Sequence, residues 1–390
     1  MEHVLNKKLI FILTVGVFSI IDTEMGVVGI LPIIAERYQV TISTAGLLVS
    51  MFALAVAVSG PTMPLLFSGF NRKRVMILVL GVFTVCNVIS AFAQHFPVVL
   101  AARVLPAFFH PIYVSMALSV AGGSVEKEEA PKAVAKVMMG VSAGMVLGVP
   151  LVSYISGLTS LRIGMLFFAA VNGFVLLATI FFVPDLPVKE KMSYGSQVKV
   201  LKEPSVWISI AGVVLLNGSV FGVYSYLSEY MEKVTGLSAE WISILLLVYG
   251  LSNIIGNILA GRLLSSRPMG FITTFPFLLA AVYIVLFFLG YLSFIMAVLT
   301  FVSGVLAGAA ANINQYWMTT AAPKAPDFAN GLFLEATNLG TTAATTVCGF
   351  FLSGMGTPYL MIGGILFLLL AFAAIMFRAV GQRRLADAGL

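Results

Sequence analysis

Residues 10–35 read IFILTVGVFSIIDTEMGVVGILPIIA, an apolar stretch that holds two carboxylates, Asp22 and Glu24, near its middle. About 20 apolar residues suffice to cross a bilayer as a helix. An acid at the bilayer centre costs roughly 2.5–3.5 kcal/mol on insertion scales, so it faces a partner or a water-filled cavity rather than lipid. Residues 21–32 are therefore read as the working part of the chain. The stretch follows Lys7 and Lys8 as a secretory signal would, but it is too long, carries acids and lacks a small-residue cleavage site. It stays as a membrane helix.

The rest of the sequence is built the same way. Of 390 residues 60% are hydrophobic and only 10% charged, with a mean hydropathy of +1.04; soluble domains carry about 25% charged residues. Apolar runs follow at roughly 44–68, 75–93, 97–121, 133–158 and 163–183, then at 205–230, 238–261, 270–292, 294–320, 328–354 and 357–377. The expected fold is all-α and integral to the membrane, with twelve transmembrane helices as two pseudo-symmetric six-helix bundles. The expected division is 1–183 and 205–390, joined by a polar linker at 184–204. A weak echo supports it: Gly60, leading out of run 2, and Gly256, leading out of run 8, lie 196 residues apart, about half the chain.

With the N-terminus inside, 18 of the 22 basic residues fall on the inner side, Arg37, Arg162 and Lys233 fall outside, and Arg103 stays within the membrane. That asymmetry places both termini in the cytoplasm. The net charge of +6 thus reports topology, and no nucleic-acid partner is expected. Cys86 and Cys348 both lie in apolar runs, which leaves no disulfide framework and no metal site. Catalytic residues and cofactors are not expected.

Asp22 and Glu24 lie about 200° apart around a helix, so separate tasks are expected of them. In run 4, Arg103, Ala107 and His110 follow i, i+4, i+7 spacing and share a face. At 1.5 Å per residue, Arg103 comes within side-chain reach of Glu24, about 16 Å down, and His110 comes level with Asp22, about 20 Å down. Arg103 would compete with protons for the carboxylate. Run 5 carries Gly140, Gly144 and Gly148 on one stripe, which lets a neighbouring helix approach closely. The second half has no counterpart of Arg103. It offers Asn217, Phe221, Tyr224 and Ser228 along one face of run 7, Asn253 and Asn257 in run 8, Asn312 and Gln315 in run 10, and Glu335 and Asn338 in run 11. These are read as contacts for a neutral or cationic solute, each amide being equally able to serve as interhelical glue.

On these residues the chain resembles the major facilitator superfamily over essentially its whole length, and within it the bacterial twelve-helix drug:proton antiporters of the sugar-efflux and purine-efflux branches. Asp22-Thr-Glu-Met-Gly-Val-Val-Gly-Ile-Leu-Pro32 is similar to that branch's first-helix motif, in which a Glu at the position of Glu24 takes the proton. Arg103 with Ala107-Phe-Phe-His110 is similar to the fourth-helix motif, and Gly140 to Pro150 resembles the antiporter signature of the fifth. The loop after run 2 departs from the pattern, with Pro64 and Ser68 where a Gly and an Asp are usual.

The resemblance implies a proton-coupled exporter of a small organic solute such as a sugar, nucleobase, nucleoside or drug, working by alternating access. Glu24, Asp22 and Arg103 would couple protons; His110, Asn217, Tyr224, Asn312, Gln315, Glu335 and Asn338 would meet the solute. Expected partners are the solute, protons and the lipid bilayer of a bacterial inner membrane, with the proton gradient in place of a cofactor and the chain as a monomer. The same residues allow proton symport of a small polar solute. A membrane enzyme is excluded for want of a metal or nucleophile constellation, since His3, His95 and His110 are dispersed.

Overall fold

The computed structural model describes residues 2–67, 69–126, 130–186, 201–322 and 326–387. The helices are α1 (Glu2–Gly26), α2 (Leu31–Tyr38), α3 (Ile42–Ser59), α4 (Met63–Phe67), α5 (Arg72–Phe92), α6 (Phe96–Ala107), α7 (His110–Gly123), α8 (Ala130–Leu158) and α9 (Leu161–Phe182). They continue as α10 (Pro204–Tyr224), α11 (Leu227–Lys233), α12 (Ala239–Ser266), α13 (Pro268–Leu289), α14 (Ser293–Thr319), α15 (Pro326–Met355) and α16 (Leu360–Asp387). Eleven stretches among the described residues are long and apolar enough to cross a membrane, and the 30-residue α15 completes twelve. Most of the expected linker falls in 187–200, outside the described residues.

Three crossings are interrupted. The first changes from α1 to α2 through a 3-10 turn at Val27–Ile30. The fourth breaks at Phe108 and Phe109, between Pro106 and Pro111, where missing amide donors make a continuous ladder costly. The seventh breaks at Ser225 and Tyr226. This last break corrects the expected face of run 7. Asn217, Phe221 and Tyr224 lie on α10, whereas Ser228 belongs to α11. The ladder tightens there to an i−3 bond from the Tyr226 amide to the Val223 carbonyl at 3.1 Å, while the Ser225 hydroxyl bonds back to the Phe221 carbonyl at 2.6 Å and meets the Thr345 hydroxyl at 3.0 Å.

By packing, the chain divides into two compact units, Met1–Val40 with Val58–Met192, and Thr41–Ala57 with Ser193–Leu390. In the first unit α1 packs most extensively on α8, and α5 on α9; in the second, α10 packs on α15 and α16, and α12 on α14. Small residues set these seams. A Cβ on Gly140 would meet the Thr14 carbonyl, and one on Gly144 would come within 2.8 Å of Ile21. In the second unit a Cβ on Gly256 would meet the Val305 carbonyl, and one on Gly222 would come within 2.9 Å of Ala344 and Cys348. Lipid chains are as apolar as the helices, so close packing rather than hydrophobic burial drives such association.

Buried polar groups add specificity. Thr23 on α1 accepts from the Asn172 side-chain amide on α9 at 2.8 Å and from the Asn87 amide on α5 at 3.2 Å. The Asn172 amide also reaches the Ser19 carbonyl at 3.2 Å. Interhelical hydrogen bonds of this kind are worth about 0.6 kcal/mol on average and up to about 1.7. Asn172→Leu, which removes several at once at a site with 0% exposure, is expected to cost about 1–2 kcal/mol, read as a lower denaturation midpoint of the purified protein in detergent. An unchanged midpoint would show the node to be energetically idle.

At the far end of the chain, Arg378 is buried against the C-terminus of α14. Its guanidinium lies 4.1 Å from the Trp317 ring centroid and donates to the Trp317 carbonyl and the Thr320 hydroxyl. A cation there completes the last turn of α14 and meets the negative end of its dipole.

The loop that departs from the family pattern is tied down by a different device. The Asn71 side-chain oxygen caps α5 by accepting from the Arg74 amide. Its side-chain nitrogen donates to Asp185 at 2.7 Å, and the Arg72 amide donates to the Leu186 carbonyl at 3.0 Å.

Candidate functional site

Three consecutive polar residues on α1 fan out to three different neighbours, as a turn of about 100° per residue requires. Asp22 faces α8. Thr23 faces α5 and α9. Glu24 faces α6 and α7.

The Glu24 carboxylate meets the His110 Nε2 at 3.1 Å, the two side chains being 10% and 11% exposed. This contact is an ion pair when the imidazole is doubly protonated and a weaker dipolar one when it is neutral. Arg103 donates through Nη2 to the main-chain carbonyl of Glu24 at 3.0 Å. Two groups able to carry positive charge therefore converge on one glutamate, each gripping a different part of it. The expectation that Arg103 reaches Glu24 holds in position, with the hydrogen bond going to the carbonyl.

His110 stands opposite Glu24, whereas the depth argument set it level with Asp22. That argument treated both crossings as straight α-helices. The 3-10 turn at Val27–Ile30 rises about 2.0 Å per residue instead of 1.5, which carries Glu24 about 2 Å further from the end at Ala35. The break at Phe108 and Phe109 resets the direction of α7 in addition.

Asp22 has 0% exposure, and neither carboxylate oxygen has a hydrogen-bond partner among the described residues. It lies over Gly148, where a Cβ would stand 2.7 Å from Oδ1. The glycine stripe of run 5 is thus the surface on which Asp22 rests.

In the second unit the polar residues predicted to meet a solute fall into two groups. On α12 and α14 they form a ladder: the Asn257 amide donates to the Asn253 side-chain oxygen at 3.0 Å, and the Asn312 amide donates to the Asn257 side-chain oxygen at 2.6 Å. Gln315 lies one turn along α14 and is exposed. On α15, Asn338 donates to the Leu334 carbonyl at 3.0 Å, and Glu335 Oε2 is buried with no hydrogen-bond partner among the described residues. Asn217 is engaged between helices, donating to the Thr337 carbonyl at 2.7 Å and the Thr341 hydroxyl at 3.1 Å. Tyr224 stacks on Tyr249 with centroids 4.5 Å apart.

Sequence reasoning passed over Thr23, Asn87, Asn172 and Tyr249. The signal for the two asparagines was available, since each is an amide within an apolar run. Thr23 was masked by the acids on either side. Among the described residues no cluster of three or more His, Cys, Asp or Glu side chains could hold a metal ion.

Residues 12–334 match the family model of the Major Facilitator Superfamily. The chain is 28% identical over 371 residues to the inner membrane transport protein YdhP of Escherichia coli K12, with 95% of each chain covered. It is 25% identical over 365 residues to the "Probable sugar efflux transporter" of Helicobacter pylori J99, with 93% of each covered. Among solved structures, it matches an inward-facing bacterial homolog of the human lysosomal transporter Spinster with a TM-score of 0.75 at 16% identity, covering 96% of this chain and 95% of the other. It matches the nucleoside transporter NupG with a TM-score of 0.77 at 13% identity, covering 96% and 99%.

Proposed function

Since the chain belongs to the Major Facilitator Superfamily, a family of multi-pass membrane transporters, we propose that it exports a small organic solute in exchange for protons by alternating access. The observation that carries this reading is the Glu24 carboxylate, enclosed in the middle of the first crossing between His110 and Arg103. An ionisable group at that depth is retained for a function. Glu24 is the proton carrier in this reading, Arg103 modulates it through the α1 backbone, and Asp22 assists. The two six-helix halves rock around the solute. Asn312, Gln315, Glu335 and Asn338 contact it, with Asn217 and Tyr224 shaping the wall and His110 linking solute to Glu24.

The export direction and a hydroxyl-rich solute are favoured by the name of the Helicobacter relative. The unpartnered Glu335 oxygen also suits a hydroxyl or cationic donor. A thermal-shift screen of purified protein against sugars, nucleobases and cationic drugs identifies the class. A ligand at 100 times its Kd adds about 2.7 kcal/mol of apparent stability, which is readily measured, and sugars are expected to give the largest shift. The best binder is then offered, radiolabelled, to acid-loaded inside-out membrane vesicles containing the protein. Accumulation that a protonophore collapses is expected. Accumulation indifferent to the gradient would refute coupling.

A further inference from the structure

We propose that the groove between the first half of α1 and the last half of α9 binds one anionic phospholipid, with an acyl chain lying in the groove and the phosphate on Lys8. This goes beyond the transport reading above and holds whatever the solute. The groove is a cavity of about 280 Å³ whose walls are apolar except for Lys8 at one end. Its shape follows from the sequence. On α9, Phe174, Ala178 and Phe182 share a face at i, i+4, i+8, which leaves a notch at the small Ala178 between two rings. On α1, Lys8, Phe11 and Val15 share a face at i, i+3, i+7. Val175 at the floor is 1% exposed, whereas Phe11 and Phe174 are each 68% exposed, so the groove opens sideways toward lipid.

Length and direction fit an acyl chain. At 1.5 Å per residue, Lys8 to Val15 spans about 10 Å and Phe174 to Phe182 about 12 Å, close to the roughly 15 Å of one leaflet's hydrocarbon. As the first and sixth crossings, α1 and α9 run in opposite directions, so the groove starts beside Lys8 and Phe182 and ends beside Val15 and Phe174. Deeper still, the Asn172 amide ties α9 to the Ser19 carbonyl and the Thr23 hydroxyl of α1 at 3.2 and 2.8 Å, which closes the seam beyond the groove. Between residues 8–15 and 174–182 no hydrogen bond joins the two helices among the described residues. A chain lying there braces the first turns of α1 against α9.

Charge selects the headgroup. The ion pairs among the described residues are His110 with Glu24 and Lys233 with Glu232, so no carboxylate among them neutralises Lys8. Asp185, the acid just past the end of α9, is engaged by the Asn71 side chain at 2.7 Å. A lysine lays its stem along an apolar wall while its ammonium reaches headgroup level, and the exposed Lys7 adjoins it. The asymmetry of basic residues assigns this end of α1 to the cytoplasmic leaflet, whose anionic lipids attract such groups. A zwitterionic phospholipid would fill the groove equally well but bring its own cation toward Lys8. A free phosphate would leave the apolar wall unused.

The test titrates the full-length protein in a maltoside detergent with dioleoylphosphatidylglycerol or dioleoylphosphatidylcholine and counts bound lipid by native mass spectrometry. Wild type is expected to hold one phosphatidylglycerol about fivefold more tightly than phosphatidylcholine, the worth of one lysine beside an anionic lipid. Lys8→Gln should lose that preference and still bind phosphatidylcholine as wild type does. Ala178→Trp, which fills the notch without touching a charge, should lose the single tight site for both lipids. Lys202→Gln, at an exposed lysine just before α10, is the control and should match wild type. Glycerol phosphate, which has no acyl chain, should not displace the bound lipid. A preference that survives Lys8→Gln, or that falls equally in Lys202→Gln, overturns the proposal. So does a tight site that survives Ala178→Trp, or displacement by glycerol phosphate, which would mark an anion site instead of a lipid site. Should Ala178→Trp not fold, the comparison of Lys8→Gln with Lys202→Gln decides alone.

Discussion

Glu24→Gln is expected to abolish gradient-driven accumulation of the solute while leaving solute exchange between equal concentrations intact. Glutamine keeps the volume of the side chain and a polar amide against His110, so the fold and the solute route survive. What it removes is the ionisable carboxyl that meets His110. A carrier locked in the neutral form still reorients with solute but no longer needs a proton to do so. Accumulation under an imposed pH gradient should fall about a hundredfold, because about 2.7 kcal/mol, two powers of ten, matches the cost of a charge at that depth. Arg103→Gln should leave a smaller and pH-dependent defect, since Arg103 hydrogen-bonds to the Glu24 main-chain carbonyl and its charge acts on the carboxylate. Equal accumulation in wild type and Glu24→Gln would remove the carrier role.

Gly140→Val is expected to produce the largest loss of stability of any single substitution in the first unit. Its Cβ would meet the Thr14 carbonyl, and the atoms next nearest are the Thr14 carbonyl carbon and the Phe18 amide nitrogen at 3.3 Å, all of them backbone. A flexible side chain could turn aside, but here α1 and α8 must separate along the longest seam of the unit. Overpacking of this kind costs about 1–3 kcal/mol and occasionally more, and the upper end is expected where no side chain can yield. The control is Gly81→Ala on α5, where a Cβ meets nothing within 4 Å and stability should be unchanged. Unfolding of both variants in detergent, compared at one temperature, checks the contrast. Similar stability in the two would mean that the seam is held by something other than backbone approach.

The membrane fold was legible because its signal is composition and spacing. Each apolar run became a crossing, although the second, expected at 44–68, gives a helix that stops at Ser59 and the last, expected to end at 377, continues to Asp387. Gly60 and Pro61 announced the end of α3, whereas the break in the fourth crossing, flanked by Pro106 and Pro111, was passed over by an argument that took the crossing as straight. Nothing comparable marks Ser225 and Tyr226, where the interruption coincides with the Ser225 hydroxyl meeting Thr345, a contact distant in sequence. The site was half legible. The acids of α1 and the spacing of Arg103 and His110 picked out residues that the structure brings together, since ionisable residues are conspicuous among apolar ones. Which atom each would grip was not encoded in the spacing. It depends on a 3-10 turn at Val27–Ile30 and on Thr23 drawing Asn87 and Asn172 towards α1. The amides of α12 and α14 were legible as solute contacts or as interhelical glue, and only the structure shows Asn253, Asn257 and Asn312 bonded to one another as a ladder.

The central claim is that a carboxyl group in the middle of the first crossing trades its proton against the solute. It is tested most directly by adding the best-binding sugar of the stability screen to inside-out vesicles with an acidified lumen and following lumenal pH. Exchange through Glu24 predicts that solute entry drives protons out, so the lumen turns more alkaline with wild type and stays unchanged with Glu24→Gln. Acidification would mean that solute and proton travel together, and an identical alkaline response from Glu24→Gln would contradict the account at its root.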